Sequence, residues 1–158
     1  MFRPLRRIKQ ALPPEECAAI LRTQKRGVLS VLGDDGYPYG LPINYVYDES
    51  EQALYFHCAL SGHKADAINT CDKASFCVLD EGKKEDGEWF YRFRSVIVFG
   101  RIAFVESEEE KRAVCNALCE KFGQGKDYQD AEWQKYAKNV ACLRLKAEHI
   151  TGKAVKEE

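Results

Sequence analysis

The residues with the most chemical potential fall in one stretch, Phe56-His57-Cys58-Ala59-Leu60-Ser61-Gly62-His63-Lys64-Ala65-Asp66. Its first part reads as a strand and its second as the start of a helix, with Ser61 as the expected N-cap. Gly62, His63 and Lys64 then occupy the first turn, where backbone N–H groups lack intrahelical acceptors. A cation at the positive end of a helix is disfavoured by roughly a few tenths of a kcal/mol. A bound anion reverses that sign, because free N–H donors, the helix dipole, an ammonium and an imidazole would converge on a phosphate or carboxylate. The alternative is plain punctuation, a Ser-Gly turn with Lys64 reaching into water. This stretch alone does not choose between the two.

Other chemistries find less support. The three histidines, His57, His63 and His149, form no His-x-x-x-His pair, so a catalytic metal is not expected. No nucleophile elbow anchors a Ser/His/Asp triad. Seven cysteines, Cys17, Cys58, Cys71, Cys77, Cys115, Cys119 and Cys142, are odd in number and contain no Cys-x-x-Cys, which argues against a disulfide framework and a zinc site. Most read as small buried hydrophobes. Gly123-Gln124-Gly125-Lys126 lacks the spacing of a phosphate loop and reads as a turn. With 24 basic against 25 acidic residues, the net charge of −1 gives no pull toward nucleic acid or a membrane surface.

The elements that must position these residues are readable in order. Pro13-Pro14-Glu15-Glu16 opens a helix carrying Cys17, Ile20 and Leu21 and ending near Lys25-Arg26-Gly27. Val28–Leu32 is a strand, and Gly33-Asp34-Asp35-Gly36 turns it into a hairpin. The run 37–48 alternates, with Tyr37, Tyr39, Leu41, Ile43, Tyr45 and Tyr47 on one face. Its other face is small and polar, and Pro42 cannot donate to a ladder, so this strand is expected at an edge or bulged near Pro42-Ile43-Asn44. Such a face either lets a flat ligand approach the backbone or simply resists aggregation.

Ala53–Cys58 and Ala74–Leu79 are further strands, separated by the short helix that Ser61 opens. The charged loop 81–91 ends in Trp89-Phe90-Tyr91, aromatics that need a ligand, a partner or the core to cover. The run 92–106, apolar on both faces through its middle, is a central strand. Ser107 and Glu110 have capping-box spacing for a helix to about Phe122, a shorter helical piece covers 130–136, and a last strand covers 141–148. Residues 1–10 are a basic arm and 152–158 an expected frayed tail, around a single domain spanning 1–158. No signal peptide or membrane span is visible, and a cytoplasmic location is expected. Six strands with peripheral helices and no βαβ alternation predict a mainly β, six-stranded antiparallel barrel.

A resemblance sharpens this reading. The segments Gly33–Pro38, Pro42–Asp48, Phe56–Ala59, Gly62–Lys64 and Phe93–Arg101 look like the Nim-type 5-nitroimidazole resistance proteins of the pyridoxamine 5′-phosphate oxidase-related, flavin-binding split-barrel group. The likeness extends over roughly residues 1–150 in order and spacing. It implies a split β-barrel homodimer with FMN near the subunit interface and a small-molecule substrate. FAD or a deazaflavin are variants of that expectation, and haem a weaker one. Ser61, Gly62, His63 and Lys64 would hold the FMN phosphate, and Ile43, Asn44 and Tyr45 would border the isoalloxazine ring. Phe56, His57 and Cys58 would line the ribityl side, while Arg94, Ser95 and Val96 would approach from the central strand. The activity the resemblance implies is that of a flavin-dependent oxidoreductase acting on nitroimidazoles or similar small electron-poor compounds. The alternative is a non-catalytic flavin- or haem-sequestering protein.

Overall fold

The long alternating run is continuous in sequence but divides in space at Tyr45. The computed structural model describes residues 1–155. In chain order these form β1 (Ala11–Leu12), α1 (Pro14–Thr23), β2 (Arg26–Leu32), β3 (Pro38–Asn44), β4 (Val46–Asp48), β5 (Ala53–Ala59), α2 (His63–Thr70), β6 (Lys73–Leu79), β7 (Phe93–Phe104), α3 (Glu108–Lys121), α4 (Lys126–Tyr136) and β8 (Val140–Val155). All pairings between strands are antiparallel. The strand order is β3-β2-β6-β7-β8-β5-β4, with β1 added on β8. Because β3 and β4 are joined only by Tyr45 yet lie at opposite ends of that order, the sheet must curl back on itself into a half-barrel.

The expected six strands become eight for two reasons. The run 37–48 breaks into β3 and β4, and two residues after the N-terminal arm add β1. The edge position expected for β3 is observed: it pairs with β2 alone, and Pro42 lies opposite Val28. The tail expected to fray instead extends β8, where Gly152 pairs with Val96 on one side and Leu12 on the other. Only residues 156–158 of that expectation lie outside the described residues. The register of β7 against β8 shifts at Phe99/Gly100. A Cβ at Gly100 would stand 2.0 Å from the Lys146 carbonyl oxygen, so the backbones meet there because no side chain intervenes.

The alternation of each strand sends one side chain in two to the barrel interior. Leu29, Leu54, Phe56, Phe76, Val78, Val96, Val98, Leu143 and Leu145 are fully buried there, each contributing about 1.5–3 kcal/mol on leaving water. The rings of Tyr45 and Phe56 meet that of Phe76 edge-on, at 4.8 and 5.2 Å. The helix α1, begun by Pro14 with Glu15 and Glu16 in its first turn, adds Cys17, Ile20 and Leu21 to this core. A second, smaller core lies outside the barrel, where Val114 and Leu118 of α3 cover Ala53, Tyr55 and Cys142. Ser107 caps α3 by accepting the Glu110 N–H, as its spacing predicts. All seven cysteines are free. No helix among the described residues is long and apolar enough to cross a membrane.

Candidate functional site

The start of α2 is built from backbone geometry. Gly62, not Ser61, occupies the N-cap position, with φ 117° and ψ 175°, and no side chain caps the helix. That conformation is open to glycine and closed to almost every other residue. The sequence expectation missed by one position because Ser61 has the right chemistry but Gly62 has the required dihedral. The Asp66 N–H donates to Gly62 O at 3.1 Å, which leaves the donors of the preceding turn without a side-chain acceptor.

His63 is held by its surroundings. Its ring stacks on Tyr39 with centroids 4.1 Å apart and planes 17° apart. Nε2 accepts the Asp34 N–H at 3.4 Å and lies 3.7 Å from the Asp34 carboxylate. A Cβ on Gly33 would come within 3.1 Å of Nε2, so the hairpin turn leaves just the room this ring needs. Lys64, on the next position of the same turn, is half-buried. Its ammonium is an electrostatic neighbour of both His57 and Cys58. Crowding by protein and then the Lys64 charge push His57 below its ordinary pKa, so this imidazole is neutral at pH 7. Burial pushes the Cys58 thiol up, against the opposing pull of Lys64.

The remaining predicted positions separate into three groups. Ile43 and Asn44 lie on the edge strand β3, where Arg26 Nε donates to Asn44 Oδ1 at 2.9 Å. Tyr45, Phe56 and Val96 are wholly buried in the barrel core, so a ligand could reach only their backbone. Arg94 and Ser95 start β7, away from α2. There Arg94 Nε and its N–H both donate to Asp80 at 2.9 Å, and its guanidinium lies 3.5 Å from Glu16. Burial raises the Asp80 carboxyl, but the Arg94 and Gly82 hydrogen bonds outweigh it and hold the group below its ordinary range. The structure therefore brings Gly62, His63, Lys64, His57 and Cys58 together, and does not bring Arg94 and Ser95 to them within one chain.

A model of the pyridoxamine 5′-phosphate oxidase family matches residues 13–154. The chain belongs to this family. Among solved structures it is similar to a candidate 5-nitroimidazole antibiotic resistance protein from Bacteroides thetaiotaomicron, with 19% identity, a TM-score of 0.77, and 91% of this chain and 86% of the other covered. It is also similar to a FAD-binding protein from Mesorhizobium loti (19% identity, TM-score 0.71, 93% and 98% covered). A third is the FAD and haem binding protein of Mycobacterium smegmatis (21% identity, TM-score 0.74, 94% and 74% covered). At these identities the likeness is one of fold. No curated protein matches the chain.

In this member of the pyridoxamine 5′-phosphate oxidase family, two features beside the site were not legible in sequence. Lys121, in the last turn of α3, places Nζ 4.0 Å from the centre of the Tyr45 ring. That nitrogen is buried without a hydrogen-bond partner, as is Tyr45 Oη. Burial, and then Lys25, lower the Lys121 pKa to about 8. The second feature is a cavity of about 420 Å³ between the end of β5, α3 and α4. His57 and Cys58 belong to its lining, so it opens beside the α2 site. Its helical walls include Cys115, Leu118 and Cys119, which at helical spacing read as ordinary core positions. Among the described residues, no group of three or more His, Cys, Asp or Glu side chains could hold a metal ion.

Proposed function

We propose that this protein is a flavin-binding oxidoreductase in which the start of α2 holds the cofactor phosphate. The observation that carries this reading is the uncapped helix start, where Gly62 leaves the first-turn N–H groups open and Lys64 stands beside His57. Donors, dipole and ammonium form a complement to a single phosphate. A lone helix start of this kind favours FMN over FAD, whose diphosphate would need more partners. Membership of the family, and the FAD named for the Mesorhizobium and mycobacterial proteins, support flavin binding in general.

A flavin supplies the electron transfer itself when bound, which leaves binding, orientation and exclusion of water to the protein. Lys64 and the helix start fix the phosphate end. The edge strand β3, with Gly40 and Pro42 outward, offers a backbone a flat ring can approach. His57 is neutral and can give or take one hydrogen bond. On this reading the substrates are small electron-poor compounds, with nitroimidazoles favoured by the likeness to the Bacteroides protein.

The functional unit is proposed to be a homodimer. Pro42, Val28, Cys77, Ile97 and Thr151 are register partners in turn across five strands, and Val28, Ile97 and the nearby Phe99 are exposed. Such an uncharged apolar row across a sheet marks a surface that seeks a cover. A second copy placed there would also give Arg94 and Ser95 a route to a shared site. Light scattering should report a dimer, and Ile97→Asp with Phe99→Asp a monomer.

The decisive experiment for flavin is the absorbance spectrum of the purified protein together with the mass of any extracted cofactor. Flavin bands near the visible blue, or their appearance on adding FMN, are expected. A protein that neither carries nor takes up flavin would remove the proposal, and bound flavin that no donor reduces would favour a sequestering role.

A further inference from the structure

We propose that the cavity between β5, α3 and α4 binds a flat, uncharged, electron-poor aromatic ring. Its volume, about 420 Å³, falls within the range of small-molecule pockets. One wall is α4, where Trp133 and Tyr136 are three residues apart and share a helix face. The opposite wall is the end of β5, where Ala59 adds no bulk and His57 supplies a third ring. Aromatic faces pair by offset stacking, and electron-rich indole and phenol rings complement an electron-poor partner. The charge of the lining narrows the ligand further. It contains no lysine or arginine, and Glu132 is its only formally charged group. An anion entering here would face a carboxylate, and only neutral donors such as the Asn116 and Asn139 amides, with no cation, would replace its hydration. The phosphate-binding character of the α2 start is thus absent a few residues away.

The cavity meets the α2 site at His57 and Cys58, both of which feel Lys64. Its use as a reaction compartment rests on the flavin reading, but ligand binding to it does not. Two rings share the required chemistry, that of a separate substrate and that of the flavin itself.

Trp89 is 80% exposed, and the chain's only other tryptophan is Trp133. Trp89→Phe therefore leaves Trp133 as the sole indole reporter. This variant, free of flavin, is titrated with 4-nitrobenzamide and 4-nitrobenzoate, which share a shape and differ in charge. The amide should quench Trp133 and bind at least tenfold more tightly than the benzoate, and Glu132→Gln should narrow that gap. Ala137→Phe, which fills the cavity, should weaken amide binding at least tenfold; if it does not fold, Ala59→Leu fills the same space from the strand. No quenching up to millimolar amide, equal binding of the two compounds, or undiminished binding in a folded filled variant would overturn the proposal. Repeating the titration with FMN present identifies the source: displacement makes the flavin ring the occupant, and retention a separate substrate. Probe binding by a protein that takes no flavin upholds the cavity and removes the flavin reading, whereas flavin uptake without any probe response does the reverse.

Discussion

The start of α2 and the cavity under α4 lie side by side and are built from different chemistry. The first is made of backbone donors, a cation and an engaged imidazole. The second is lined by rings, thiols and neutral amides and has no lysine or arginine in its walls. On the two proposals, charge selection and shape selection fall to different elements, and His57 and Cys58 join them. A mutation can be expected to damage one without the other, which gives the comparison its tests.

The largest effect should come from the shared support. Leu118 lies at 5% exposure between α3 and the β5–β8 surface and also lines the cavity. Leu118→Ala should lower stability by about 2–5 kcal/mol, read by urea denaturation, and impair both regions together. Lys64→Ala should separate them. Losing one charge-assisted contact to phosphate costs about 1.5–3 kcal/mol, roughly a ten- to hundredfold rise in the Kd for FMN by fluorescence titration. Binding of an uncharged ring in the cavity should stay within about twofold. Adding His63→Ala should deepen the loss for FMN only.

Gly62→Ala addresses the backbone alone, because a Cβ there meets nothing within 4 Å while φ is +117°. The expected cost is about 1–3 kcal/mol of strain, seen as a lower Tm and weaker FMN binding, with cavity ligands little affected. If Tm is unchanged, the helix start is not held in that conformation.

The smallest effect concerns pH. The folded pKa of His57 lies below its unfolded value near 6.5. Unfolded chains therefore bind this proton first as pH falls, so stability declines below about pH 6.5 and levels off once the folded imidazole also charges. His57→Gln should flatten that part of the profile. A steeper fall in the variant would contradict the assigned environment.

Much of this arrangement was legible because local chemistry and global fold agree. Pro14 with Glu15 and Glu16 starts α1, Ser107 caps α3, and the apolar run 92–106 becomes the central strand β7. The chemistry-bearing stretch also kept its place, at the junction of β5 and α2. What escaped was decided by closure and contact at a distance. The alternation through Tyr45 is unbroken in sequence, and only the curl of the sheet forces β3 and β4 apart. The polar segment Thr151-Gly152-Lys153 does not announce a strand, yet neighbours on both sides supply its pairing. The cavity hid because Cys115, Leu118 and Cys119 follow the same helical stripe that a filled core would use. Tyr45, Phe56 and Val96 carried a family pattern, while their side chains are committed to packing.

The pairing of β8 with β1, β5 and β7 bears on the order in which the chain can assemble. The hairpins β2–β3 and β4–β5 join neighbours in sequence and can form early, since short loops close at little entropic cost. The partners of β5 in β8 lie far along the chain, with Ala53 opposite Lys146. Until residues 140–155 are available, β5 and β7 each lack a neighbour and the barrel core stays open to water. Topologies dominated by such distant contacts fold slowly and expose unpaired edges meanwhile. A ribosome making this protein must therefore release residues 140–155 before the interior can be sealed, and until then β5 and β7 each present a bare edge to the solvent.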